Sequence, residues 1–267
     1  MDNDISMLLT AIIEAFHQTP PNQDAKEVIQ TMLRSNPLHF FQLLIPIINN
    51  QSNPPYLISL ALLLSDEILK FSSESTLDFF SYDSLMDFIK NLFSFFSNNN
   101  ELIRNSATKS CANFYIYLYS NIISETNENY LFQISNSQSL FLNIFHSSSN
   151  LILLETTLQC FEYISEDMDF SFDSTNSFFN SLLNLLFSSE SPLKIKNLCV
   201  QIIENFHNFF SEIITQEFIL HLSELLVQIQ ESSFYLASFP LLSSLILLPQ
   251  SVPLFQSFYP ACIQFIS

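Results

Sequence analysis

The 267-residue chain contains no glycine. That absence removes a large part of fold space. Tight hairpins put residues at positive φ, and glycine is their usual supplier. A helical fold has no such need, because Asn, Ser and Pro can end its helices. The expectation is therefore an all-α protein. P-loops, dinucleotide-binding fingerprints and the G-x-S-x-G elbow are excluded outright, since each needs glycine for a sharp turn or for close backbone approach.

The hydrophobic pattern agrees. Leu151, Leu154, Leu158, Phe161, Ile164 and Met168 recur at steps of three and four, which puts them on one helical face. The same spacing runs through Leu57, Leu60, Leu64, Ile68 and Phe71, through Ile103, Ala107, Cys111, Phe114 and Leu118, and through Ile195, Cys199, Ile202, Phe206 and Phe209. Further helices are expected at 4–17, 22–34, 37–49, 76–97, 129–147, 175–188, 214–230 and 233–248. Polar breaks such as QTPPNQ (18–23), NNQSNPP (49–55), HSSSN (146–150) and SSESP (188–192) separate them, with Asp and Ser as candidate N-caps.

The second helix of each pair recurs every ~40–50 residues, the period of HEAT or armadillo units. About six pairs are expected, and 252–267 reads as the first helix of a further one. With no Ser/Gly linker, 1–267 reads as one right-handed α-solenoid. Small residues at Ala107, Ser110, Cys111 and Ala112 would let neighbouring helices approach, while Phe114 and Leu118 fill the space between layers. A compact bundle or an all-α enzyme domain is the alternative.

Charge narrows the partners. The formal net charge is −18, and the eight basic residues all lie at or before Lys196. Such a surface repels nucleic-acid phosphates and anionic membranes, and it suits basic protein segments. The acidic last third is either a solvated face or a cation-binding one. The four cysteines are widely spaced, and Cys111, Cys160 and Cys199 fall in apolar helical stretches, as buried thiols of a reducing compartment would. MDNDISMLL lacks the basic start of a signal peptide, and no apolar run reaches the ~20 residues of a membrane span. The expectation is a soluble intracellular protein without membrane insertion.

Chemistry is sparse. None of the five histidines forms H-E-x-x-H or lies beside a cysteine in metal-ligand spacing. His207 and His221 read as residues at a packing edge. The acids Glu162, Glu166, Asp167, Asp169 and Asp173 lack the glycine-containing calcium loop. No catalytic residue, metal or cofactor is expected.

The stretch ETTLQCFEYISEDMD (155–169) resembles the second helix of the fourth HEAT repeat of the importin-β family of nuclear transport receptors. The resemblance is carried by Glu155, Thr156, Thr157, Leu158, Tyr163, Ile164, Glu166, Asp167 and Asp169. The following FDSTNSFFNSLLNLLFSSESPLKIKNLCVQIIENFHNFF resembles the next repeat in helix placement, and 24–48 is similar to the family's N-terminal region. There are departures. Family members are much longer, and their acidic loop and main cargo-wrapping arch lie farther on. Ser65, Asp66 and Glu67 replace a lysine-asparagine step, which puts binding of Ran GTPase in doubt. Glu162 stands where a glycine is usual.

The resemblance implies an import factor of the cytoplasm, nucleus and nuclear envelope. It also implies a site for nucleoporin Phe-Gly repeats between successive first helices, at Phe179, Asn180, Leu183, Phe218, Ile219 and Phe258. The acidic end at Glu162, Glu166, Asp167 and Asp169 would face basic cargo or adaptor segments. The rival is a HEAT or armadillo scaffold with an unrelated partner, which full burial of Phe179, Leu183 and Phe218 would favour. A truncated product is a third reading, and the apolar end at 252–267, with Phe255, Phe258, Tyr259 and Phe265, would be its sign.

Overall fold

The structure, a computed structural model, describes residues 2–71, 82–123, 150–167, 175–206 and 215–246, together with Ser139, Leu142, Asn143 and Phe145. Among the described residues every regular element is a helix. The chain divides into two compact units, 1–137 and 138–267. The first holds α1 (Asp2–Phe16), α2 (Gln23–Ser35), α3 (Pro37–Asn49), α4 (Pro55–Phe71), α5 (Tyr82–Ser94) and α6 (Glu101–Ile123). The second holds α7 (Leu151–Asp167), α8 (Thr175–Phe187), α9 (Leu193–Asn205), α10 (Gln216–Gln228) and α11 (Ser232–Ile246).

The helix ends show how the chain does without glycine. No described residue has positive φ. Asparagine starts most of the capped helices. Asn22 accepts from the Ala25 N–H at 3.3 Å, Asn36 from His39 at 3.0 Å, Asn100 from Leu102 at 3.0 Å and Asn150 from Ile152 at 3.0 Å. Thr215 caps α10 through the Phe218 N–H. The expected Asp and Ser caps are thus mostly Asn, whose amide oxygen accepts equally well and adds no charge to an already negative chain. Asn36 serves two helices. Its own N–H closes α2 on the Met32 carbonyl while its side chain opens α3.

In the first unit α3 packs on α4, α5 on α6, and α4 on α6. In the second, α8 packs on α9, α10 on α11, and α9 contacts both α7 and α11. So α4 packs on α6, and α7 and α11 on α9, later helix on later helix, whereas the first pair meets α3 and α4 mainly through α1. Hydrogen bonds fix that register. Between α4 and α6, the Ser59 and Ser106 hydroxyls meet at 2.6 Å, 47 residues apart in sequence. Ser110 donates to the Leu62 carbonyl across 48 residues, and Asn113 to Asp66 across 47. Between α7 and α9, Asn205 donates to Ser165 across 40 residues. These separations match the spacing read from the sequence.

The small residues behave as expected. Ala107, Ser110, Cys111 and Ala112 are all buried. Phenylalanine fills the rest. Phe41, Phe88 and Phe114 tie α3, α5 and α6 together, with ring centroids 4.8, 4.9 and 5.8 Å apart. Phe145, Phe161 and Phe178 form a matching trio in the second unit, at 4.8, 5.6 and 6.5 Å. One stripe residue differs from expectation. Leu151 is exposed at the first position of α7, and the buried face begins at Leu154. The segment 252–267, with Phe258, lies outside the described residues.

Candidate functional site

The acidic end of α7 is built on a helix locked from within. Thr156 and Thr157 are buried, and their hydroxyls donate to the Ile152 and Leu153 carbonyls, both at 2.7 Å. Glu155 pairs with Lys194 of α9. The residues that carry the resemblance therefore hold the helix and its neighbour in register. Beyond them Glu162 is half-buried. Burial raises its carboxyl above the ordinary range, and the charge of Glu166 pushes the same way. Glu166, a turn further on, is exposed. Asp167 ends α7, and Asp169 lies outside the described residues.

The proposed slot between first helices falls between α8 and α10. The structure separates its residues into two groups. Phe179, at 0 % exposure, and Phe218, at 4 %, are core, with ring centroids 6.2 Å apart. Ile219 is buried beside them in sequence. Asn180 is exposed and Leu183 half-buried. The open groove lies a turn further along both helices. It has a volume of about 560 Å³, and Leu183, Asn184, Phe187 and Ser188 line one side. His221, Glu224, Leu225 and Gln228 line the other. Phe187 bridges the two helices, packing its ring on Phe218 at 6.0 Å and edge-on to His221 at 5.6 Å.

Helix geometry explains the division. Phe178, Phe179, Leu182 and Leu186 form the buried stripe of α8. Leu183 and Phe187, four residues apart, run along its flank. The resemblance places the site on the stripe, whereas the opening lies on the flank. Glu224 belongs to the acidic last third read as a solvated or cation-binding face, whereas Phe187, Leu225 and Gln228 have no place in the sequence reading. Their signal is the i, i+3, i+4 run from His221 to Gln228 opposite the Leu183–Phe187 step.

Other polar groups are structural. Lys196 is buried, and its ammonium donates to the Leu186 and Ser188 carbonyls, both at 2.6 Å. Burial lowers its pKa from the usual lysine value. Burial pushes the neighbouring Cys199 thiol up to about 12, so it is not a nucleophile at neutral pH. Cys111 and Cys160 are likewise buried and outside any disulfide, and Cys262 lies outside the described residues. Among the described residues no three His, Cys, Asp or Glu side chains converge as metal ligands, and no helix is long and apolar enough to cross a membrane. No family model, curated protein or solved structure matches the chain.

Proposed function

We propose that this chain is a HEAT-type α-solenoid that works by binding protein segments rather than by catalysis, and that it acts as an importin-β-like transport receptor. The observation that carries the reading is the groove between α8 and α10. It lies between two first helices of successive pairs, and Leu183 is among its lining residues. Leu183, Phe187 and Leu225 give it an apolar part among polar neighbours, and its volume of about 560 Å³ falls in the range of side-chain and ligand pockets. A phenylalanine from an extended repeat fits such a slot, and weak slots suit a partner that engages several of them at once. The register of 40 to 48 residues across the later helices supports the repeat architecture. The transport reading rests in addition on the resemblance at residues 155–169.

Burial of Phe179 and Phe218 favours the generic scaffold on its own, because a buried ring offers nothing to a ligand. The half-buried Leu183 and Phe187 keep the nucleoporin reading in play.

The test is retention of the full chain on beads carrying Phe-Gly repeats. Leu183→Asp and Phe187→Ser are the informative variants, since both sit on the flank. Retention by the parent chain, lost in both variants with helicity intact, is the expected result. A parent chain that passes straight through would retire the transport receptor and leave a helical binding module.

A further inference from the structure

The groove between α8 and α10 combines Leu183, Phe187 and Leu225 with polar residues, and the charges around it are mostly of one sign. From residue 138 onward the chain holds twelve acidic residues and only two basic ones, Lys194 and Lys196. Neither base is available to the groove. Lys194 is paired with Glu155, and Lys196 is buried with its ammonium held by two carbonyls. Glu224, on the wall, is exposed and has no cationic partner among the described residues. Helix direction adds to this. The groove is lined by the C-terminal turns of both helices, α8 ending at Phe187 and α10 at Gln228. A helix C-terminus carries partial negative charge and favours a cation. Neither helix supplies a basic residue in its last turn. On α8 the buried Lys196 already occupies the terminal carbonyls, whereas α10 has no such cation.

We propose that this groove selects a segment in which a leucine or phenylalanine stands next to lysine or arginine, with Glu224 and the end of α10 holding the cation. The apolar side chain fills the space between Leu183, Phe187 and Leu225. The adjacent cation meets Glu224 at the rim, where no lysine or arginine among the described residues neutralises it. A second copy of this chain is a poor occupant, because like charges would face each other. The proposal rests on the protein-binding reading above and goes beyond it by naming the charge of the segment.

The test uses the full chain and three fluorescent synthetic peptides that share one central phenylalanine. The flanks are lysine in one, serine in another and glutamate in the third. Binding is followed by anisotropy at low and moderate salt. The expected order is lysine over serine over glutamate. Glu224→Lys is expected to weaken the lysine peptide about fivefold, the scale of an exposed ion pair, with little change for the serine peptide. Leu183→Asp should weaken all three. The lysine preference should also shrink as salt rises. Equal affinity for the lysine and serine peptides overturns the charge proposal and leaves the binding reading intact. A lysine preference that survives Glu224→Lys overturns it as well, because the charge is then read elsewhere. No binding of any peptide removes both readings. Self-association of the free chain that Leu183→Asp abolishes would assign the groove to a second copy and overturn the proposal.

Discussion

Asp66 lies buried between α4 and α6. Its Oδ2 accepts from the Asn113 amide at 3.1 Å, while Oδ1 has no hydrogen-bond partner. Burial pushes the carboxyl up to about 7; Ser110, Asn113 and Lys109 pull it down in part, and Glu67 adds to the rise. The folded chain therefore keeps a proton that the unfolded chain releases near pH 4. Stability contributed at low pH is lost as pH rises from about 4 to about 7, and it changes little above that. A rise of this size corresponds to about 4 kcal/mol. Asp66→Asn keeps the shape and cannot ionise. Its unfolding free energy should exceed that of the parent chain at pH 8, and the gap should close toward pH 5. Urea denaturation of both chains at the two pH values checks this. A gap that does not change with pH would show that Asp66 is not the titrating group. Sequence reading did not find this site. Asp66 sits in the polar step Ser65, Asp66 and Glu67, which reads as surface. Its partner is 47 residues away, and only the packing of α4 on α6 brings the two together.

Single helices were the most legible level. Period and breaks give α3 and α4 with their observed bounds, because an apolar stripe needs no knowledge of its partner. What the pattern does not tell is which flank of a stripe stays open, since that depends on the neighbouring helix. Phe179, Leu183 and Phe218 all read as slot for this reason, yet only Leu183 lines the opening, beside Phe187, which the pattern did not mark. Lys196 shows the same limit. It follows Ile195 in an amphipathic helix and reads as surface, yet it is buried and clamps the end of α8. Replacing it with methionine keeps the volume and removes the ammonium from the Leu186 and Ser188 carbonyls, leaving Ser188 only the Ser191 N–H at 3.4 Å. A hydrogen bond to a charged group contributes ~1.5–3 kcal/mol, so Lys196→Met should cost about 3 kcal/mol. It should also raise amide exchange in the last turn of α8, where the groove is lined. Hydrogen exchange read by mass spectrometry checks the location. Protection unchanged in 183–188 would mean that the clamp is not what holds that turn.

Among the described residues each compact unit holds a trio of packed phenylalanines, and these predict how stability is divided. Phe114 and Phe161 are each at most 1 % exposed, and each belongs to its own trio. Truncating a buried phenylalanine to alanine removes its transfer energy and leaves a cavity, at a cost of ~3–5 kcal/mol. In a stack of helix pairs, interactions run between nearest neighbours, and distant layers feel one another weakly. Substitutions that share no partner add to within ~0.5 kcal/mol. Among the described residues the ring partners of Phe114 lie in α3 and α5, and those of Phe161 are Phe145 and Phe178 of α8. The double variant of Phe114→Ala and Phe161→Ala should therefore lose the sum of the two single losses, measured by guanidinium denaturation of all four chains. By contrast, Phe114→Ala with Phe88→Ala should lose less than the sum, because the first truncation already removes contacts that the second would break. Additivity within a trio, or strong coupling between the two trios, would put the cooperative boundary elsewhere than between residues 137 and 138.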